Sequence, residues 1–113
     1  MDSLPVAGFR NLEHLGLLGT RISDAGLASL VDLHNLDFLD LDGTQVSDTG
    51  LASLVSLPKL DMLDLNETRV TDAGLKQVAR LPGLRILFLY GTAVTAKGIA
   101  ALKEKNPTME IEH

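Results

Sequence analysis

The sequence predicts an α/β fold, a right-handed solenoid in a short horseshoe arc with a parallel sheet on its concave side and helices on its convex side. The first observation is a 24-residue period, because four copies of Leu-x-x-Leu-x-Leu begin at Leu12, Leu36, Leu60 and Leu84. The second is that each copy continues with Thr, then Ile or Val, then Ser or Thr, and then Gly-Leu or Gly-Ile. A fixed period of this length indicates repeats that bury their apolar faces by stacking on one another.

The composition requires an aliphatic core in one small domain. Among 113 residues there are 23 leucines but only four aromatic residues, Phe9, Phe38, Phe88 and Tyr90. Cysteine is absent, which excludes disulfides, a thiolate nucleophile and a cysteine metal site, and favours a cytoplasmic location. No apolar run reaches the roughly 18 residues that span a bilayer, and the first residues lack the order of a signal peptide.

Each repeat begins with a strand. Side chains alternate across a strand, so Leu39 and Leu41 should face the core, whereas Phe38, Asp40 and Asp42 should face outward. Successive strands joined by a crossover helix must be parallel, and the crossover should be right-handed. The outward residues therefore form one candidate binding face.

A short helix should follow each strand. Ser47-Asp48 has the pattern of an N-cap followed by an acid in the first turn, where unpaired N–H groups and the helix dipole favour negative charge. Leu-Pro pairs at 57–58 and 81–82 should end the helices. One apolar helix face is formed by Leu51, Leu54 and Leu57. A close approach of helix to sheet, with no room for a side chain, is the reason expected for Gly26, Gly50, Gly74 and Gly98.

These units resemble leucine-rich repeats, most closely the subfamily whose second half reads [Ile/Val]-[Ser/Thr]-Asp-x-Gly-Leu-x-x-Leu, familiar from F-box adaptors and bacterial repeat proteins. The resemblance covers four repeats, 12–35, 36–59, 60–83 and 84–107. Where many members carry Asn or Cys after the strand, this chain has Thr, whose hydroxyl should bond to neighbouring backbone. Ala96 also replaces the Asp of the other repeats. The resemblance implies protein–protein recognition through the concave sheet.

The whole chain, residues 1–113, is interpreted as a single domain with a cap at each end. Val6 and Phe9 align with core leucines of the first repeat, so residues 1–11 should be a half-repeat that caps the first strand. Residues 108–113 should form a closing strand with charged outward residues, which discourage further pairing. The initiating Met and this strand favour a complete solenoid over a piece of a longer one.

The negative charge is concentrated on the predicted sheet. Its four strand segments contain six acids and one arginine, while the rest of the chain has nine residues of each sign, so the net charge of −5 lies on this face. Such a face should repel nucleic acid and anionic membranes and attract a basic partner. The candidate partner-binding residues are His14, Asp37, Phe38, Asp40, Asp42, Asp61, Met62, Asp64, Asn66, Arg85, Ile86, Phe88 and Tyr90.

Outward apolar residues favour docking over a merely solvated surface. An apolar patch rimmed by charge is typical of interaction sites, so we expect a protein or peptide partner of basic or mixed basic and apolar character. The alternative is that duplication copied a soluble, charged strand. Asp37/Asp61 and Asp40/Asp64 should be cross-strand neighbours, and their repulsion should raise a carboxylate pKa unless a cation intervenes.

Other functions have less support in the sequence. Asp40, Asp42, Asp64 and Asn66 offer oxygen ligands for a divalent cation, but a flat sheet supplies no carbonyls to complete the shell. His14 has no nucleophile beside it, so the chain is not expected to be an enzyme, and no cofactor is expected. The competing function is that of a structural spacer or a fragment of a longer repeat array. A binding module should be monomeric.

Overall fold

The computed structural model describes residues 9–113 and contains a five-stranded parallel sheet in the order β1-β2-β3-β4-β5. The chain visits the strands in sequence, so each neighbours only the strands of adjacent repeats. The strands are β1 His14–Gly16, β2 Phe38–Asp40, β3 Met62–Asp64, β4 Ile86–Phe88 and β5 Glu110–Glu112.

The register aligns equivalent residues of successive repeats. The central residue of each strand stacks on that of the next, from Leu15 through Leu39, Leu63 and Leu87 to Ile111. Leu39, Leu63 and Leu87 are fully buried. The predicted inward orientation of these leucines is therefore confirmed, and they form a continuous column through the core.

Helical segments connect the strands. They are α1 Asp24–Leu27, continued as a 3₁₀ helix over Ala28–Leu30, a 3₁₀ helix over Asp48–Ser56, α2 Asp72–Val78 and α3 Ala96–Lys105. The short helix predicted in the second repeat is present, and it is a 3₁₀ helix. A 3₁₀ helix has three residues per turn, so the spacing of three between Leu51 and Leu54 places both on its buried side.

Aspartates lie in the first turns of the helices, as predicted, and they also join successive repeats, a role that the sequence pattern does not predict. The Asp48 carboxylate accepts the Thr71 backbone N–H at 2.7 Å and the Thr71 hydroxyl at 2.5 Å. We call the set of such contacts the aspartate ladder, and its rungs are Asp24–Ser47, Asp48–Thr71 and Asp72–Thr95. Each acid lies in the first turn of its own helix but bonds to the N-cap of the next repeat.

The ladder also explains Gly50, Gly74 and Gly98, where the aspartate of the preceding repeat, and not a close approach to the sheet, leaves no room for a side chain. A Cβ atom on Gly50 would overlap the Asp24 side chain and lie 3.0 Å from Leu27 Cδ1. On Gly98, its three nearest neighbours would all be atoms of the Asp72 carboxyl group. Glycine is therefore required where the aspartate of the preceding repeat crosses the start of the helix.

Threonine hydroxyls close the turns that follow β1, β2, β3 and β4. Thr44 donates to the Leu41 carbonyl at 2.8 Å and Thr68 donates to the Leu65 carbonyl at 2.7 Å. Thr20 and Thr92 make the same bond, in each case to the carbonyl three residues earlier. The expected hydroxyl bond to neighbouring backbone is thus present, but it stabilises the turn within one repeat and does not connect two repeats.

The two ends of the described chain differ. Phe9 is 58% exposed and so does not occupy a buried position like that of Leu33, with which it aligns. Val6, the other residue of the predicted N-terminal cap, lies outside the described residues. At the other end, Met109 and Ile111 are buried. The division of the chain into repeats and caps stays a prediction.

Candidate partner-binding face of the sheet

Two columns of side chains run across the outward face of the sheet. The register pairs the first residue of each strand with its equivalent, in a column of His14, Phe38, Met62, Ile86 and Glu110. The last residues of the strands form a second column of Gly16, Asp40, Asp64, Phe88 and Glu112. Both columns were predicted through the fourth strand, and we call the surface they form the sheet face.

The apolar side chains of the sheet face differ in exposure. Phe38, Met62, Ile86 and Phe88 are half-buried, because each is flanked by side chains of the adjacent strands. Tyr90 is 51% exposed just beyond β4. The result is a shallow apolar surface that ends in one accessible aromatic ring.

One ion pair and one histidine–carboxylate contact occupy the side of the sheet face where the strands begin. Arg85 binds Asp61 through both carboxylate oxygens, with Nε–Oδ1 at 2.5 Å and Nη2–Oδ2 at 3.1 Å. His14 Nε2 lies 3.0 Å from Asp37 Oδ1. The Arg85 hydrogen bond holds the pKa of Asp61 below its usual value. The expected repulsion between Asp37 and Asp61 is therefore offset by a cationic partner for Asp61 and an imidazole partner for Asp37.

His14 is also held by its aromatic neighbour. Its ring meets Phe38 edge to face, with the centroids 6.1 Å apart and an angle of 76° between the planes. This geometry and the contact with Asp37 fix the imidazole at the rim of the sheet face.

Repulsion between carboxylates persists at the centre of the sheet face. Asp40 and Asp64 are register partners, and Asp42 lies close enough to act on Asp64. The pKa of Asp64 is raised, chiefly by burial and further by the negative charges of Asp40 and Asp42, while the Asn66 N–H bond acts in the opposite direction. We call Asp40, Asp42 and Asp64 the acidic centre.

Backbone amides already use part of the oxygen donors that the sequence offered as metal ligands. Asp40 Oδ1 accepts the Asp42 N–H at 3.0 Å, and Asp64 Oδ1 accepts the Asn66 N–H at 2.9 Å. Asn66 Oδ1 in turn accepts the Tyr90 N–H at 2.7 Å. Within residues 9–113, no three His, Cys, Asp or Glu side chains converge as they would around a metal ion. These oxygens instead shape the turns that follow β2, β3 and β4.

Three residues of this surface were not among the predicted candidates. Leu18 is 63% exposed, and it lies two residues beyond β1, as Tyr90 lies two residues beyond β4. Glu110 and Glu112 extend the two columns on β5. The alternation of side chains places all three on the outward side of the predicted strands. The fifth strand is predicted only as a cap, however, and Leu18, although it aligns with Tyr90, is not among the candidate residues.

The sequence matches no known family profile and no curated protein. Solved structures do match. A leucine-rich-repeat protein of Leptospira interrogans superposes with a TM-score of 0.75 at 23% identity, over 98% of this chain and 28% of that one. The actin-binding site 2 of leiomodin-1 has a TM-score of 0.73 at 15% identity, over 92% and 71%. An internalin of Listeria monocytogenes has a TM-score of 0.58 at 22% identity, over 96% and 36%.

The chain thus spans about a quarter to a third of the two bacterial proteins it resembles. Within residues 9–113, no helix is both long and apolar enough to cross a membrane. At these levels of sequence identity the likeness shows the fold alone, and that fold is the α/β leucine-rich-repeat solenoid.

Proposed function

We propose that this chain is a non-catalytic protein-interaction module, which binds a basic, partly apolar peptide or protein segment on the concave sheet face. The observation that carries the proposal is the position of the acidic centre beside half-buried Phe38 and Phe88 and the exposed ring of Tyr90. A ligand with both cationic and apolar groups complements this surface.

The charges of the acidic centre are available to such a ligand. Among the described residues, Asp40, Asp42 and Asp64 form no ion pair, whereas Asp37 and Asp61 have partners. Lys or Arg side chains placed over the centre would offset the mutual repulsion of its carboxylates. The leiomodin-1 structure is named for an actin-binding site, which is a protein-recognition role in that protein. The proposed module acts as a monomer, with no nucleic acid, membrane or cofactor.

The competing proposal is a structural spacer or a fragment of a longer repeat array. It is favoured by one observation, the small share of the two similar bacterial proteins that this chain spans. On that proposal the sheet face has no ligand, and its acids are a solvated surface.

The two proposals are separated by selecting displayed random peptides on the immobilised full chain. The interaction module should enrich peptides that combine Lys or Arg with apolar residues, and binding should weaken about tenfold in the Asp40→Asn, Asp64→Asn double variant. The matched control is Asp32→Asn with Glu104→Gln, which removes two exposed charges away from the sheet. If no basic peptide is enriched, or the two double variants bind equally, the sheet face is not a docking surface, and the result favours the proposal of a structural spacer or fragment.

Binding through the acids should also respond to salt. Exposed charges are screened over ~8–10 Å at physiological ionic strength, so the contribution of the acidic centre should fall as salt is added. The contribution of Phe38 and Tyr90 should persist, and each Ala variant should weaken binding with little loss of stability.

A further inference from the structure

A groove lies between α2 and α3, on the opposite side of the repeats from the sheet face. Its volume is about 460 Å³, and its apolar lining includes Leu75, Ala79, Ala101 and Leu102. Leu75 and Leu102 are each 3% exposed and form its edges toward the core. Ala79 stands where the two preceding repeats have Val55 and Val31, so a smaller side chain opens the space.

Three lysines surround this groove. Lys76, Lys97 and Lys105 line it and are exposed, and none forms an ion pair with another described residue. The one acid in the lining, Asp72, is bound through both oxygens to Thr95 in the aspartate ladder. The groove therefore presents an excess of positive charge in a chain whose net charge is −5.

The basic rim is not a property of the repeat. The equivalents of Lys76 in the earlier repeats are Ala52 and Ala28, and those of Lys97 are Ala73, Thr49 and Ala25. A solvated helix surface copied by duplication would carry similar residues at each level. Lysines here converge on the one helix pair where Val is replaced by Ala.

We propose that the groove between α2 and α3 binds an amphipathic helical segment of a partner protein, with apolar residues in the groove and acidic residues against Lys76, Lys97 and Lys105. An apolar helix stripe in a hydrophobic groove is a common mode of peptide recognition, and the flanking lysines select for acids. The site is independent of the sheet face, which favours a basic ligand. The chain would then join two partners of opposite charge.

A second copy of this chain is a poorer occupant. The large apolar side chains exposed in residues 9–113 are Phe9, Leu18 and Tyr90, and none lies on a helix. Leu18 and Tyr90 flank an extended sheet, whose shape does not enter a groove between two helices. The negative charge of the sheet face complements the lysines of the groove, but a flat sheet does not fit between two helices.

The test selects a displayed library of helix-biased peptides of about 15 residues, long enough to span the roughly 15 Å of α3, on the full chain. Enriched peptides should carry apolar residues at helical spacing flanked by Asp or Glu. A synthetic copy of the best peptide should bind at least about tenfold more weakly to the Lys76→Glu, Lys97→Glu, Lys105→Glu variant, since three attractive contacts become repulsive.

Two controls separate the groove from general charge effects. Arg21→Glu, Arg69→Glu and Lys103→Glu change the net charge equally but lie outside the groove, so this variant should bind like wild type. The Asp40→Asn, Asp64→Asn variant of the sheet face should also bind like wild type, whether or not the proposed sheet-face function holds.

A third variant addresses folding and self-association. Ala79→Val, which restores the residue of the preceding repeats, should narrow the groove and weaken peptide binding while circular dichroism stays unchanged. The proposal is overturned if enriched peptides are not acidic, if both charge-reversed variants bind equally, or if Ala79→Val has no effect. It is also overturned if sedimentation shows a dimer that the Lys76, Lys97 and Lys105 reversals abolish, because the occupant is then a second copy.

Discussion

At Asp64, burial and like charge act against the same carboxylate. Its side chain is partly withdrawn from water, and the nearby charges of Asp40 and Asp42 disfavour ionisation further. Asp61, three residues earlier, has the opposite balance, because Arg85 stabilises its ionised form. Two aspartates of one strand segment therefore contribute to stability with opposite signs, because Asp64 is partly buried beside like charges whereas Asp61 is paired with Arg85.

Replacing Asp64 with Asn should stabilise the free protein near neutral pH by roughly 0.2–1 kcal/mol, the general size of a cross-strand side-chain interaction, because like charges on opposed residues are destabilising. Asn removes the charge and keeps an oxygen for the Asn66 N–H. Because the native pKa of Asp64 is raised, wild-type stability falls as pH rises from the usual aspartate value of 3.8 through the raised value. Below 3.8 the two proteins should converge in urea denaturation, since both folded and unfolded Asp64 then carry a proton.

Asp61→Asn is the matched control for this prediction. The lowered pKa of Asp61 means that its pair with Arg85 adds stability above the usual aspartate pKa, and that this is lost as pH falls through the lowered value. The variant should therefore be no more stable than wild type near neutral pH. Equal gains for both variants, or a gain for Asp64→Asn that persists in acid, would contradict the assignment of opposite environments.

At the scale of the helices, the aspartate ladder and the helical glycines depend on each other. Each carboxylate reaches the N-cap of the next repeat by passing over the helical glycine that follows that cap. The sequence changes where the ladder ends. Thr95 is the last N-cap residue that donates to an aspartate of the preceding repeat, and Ala96, which stands where the earlier repeats have Asp, has no carboxylate. Gly98 is retained, since Asp72 still crosses it.

Gly98→Ala should destabilise the protein when residue 72 is Asp and stabilise it when residue 72 is Ala. With Asp72 present, the new Cβ displaces the carboxylate from Thr95, and the loss of these charge-assisted hydrogen bonds should lower the melting temperature. In an Asp72→Ala background, the same change should stabilise by roughly 0.5–1 kcal/mol, the usual gain of Ala over Gly in a helix. A double-mutant cycle by thermal melting measures the coupling, and additive effects would refute the link between ladder and glycine.

The strands could be predicted in detail, whereas the contacts between helices could not. Alternation around Leu39 fixes both faces of a strand, because only one assignment buries the leucines. Periodicity identifies equivalent residues but not the neighbour that a side chain reaches, so Asp48 was assigned to its own helix. The sequence does show that Asp and Gly recur together, two residues apart, in the first three repeats, and this was the available signal for the contact. In the site, the pairing of Asp61 with Arg85 depends on a long side chain whose conformation no spacing determines.

Across the whole molecule, the repeats stabilise one another along the axis on which they stack. The buried column that includes Leu39, Leu63 and Leu87 crosses the repeats, and within the column each member is paired with the equivalent residues of the two adjacent strands. In such a solenoid, an interface between two repeats supports both of them, so a defect in the middle weakens both halves.

Leu39→Ala, Leu63→Ala and Leu87→Ala should each cost ~2–5 kcal/mol, because each truncation leaves a cavity in a fully buried site. A domain of this kind has a total stability of only ~5–15 kcal/mol, so the loss should be plain in a thermal melt. Ile86→Ala, one position away but on the sheet face, is the matched control and should cost less. Wild-type melting of the three Leu variants would refute the inward packing.

The aspartate ladder has a direction, since the earlier repeat always supplies the acceptor and the later repeat always supplies the N–H and hydroxyl donors. Every junction from Asp24 to Thr95 therefore uses the same acceptor carboxylate and the same kinds of donor. Whole repeats are for this reason interchangeable in principle. Excision of residues 36–59 would bring Asp24 opposite Thr71, whose N–H and hydroxyl already donate to an aspartate in the same arrangement. A cut that was not a multiple of the repeat would leave a carboxylate without its donors, so the ladder permits the array to change in length only by complete repeats.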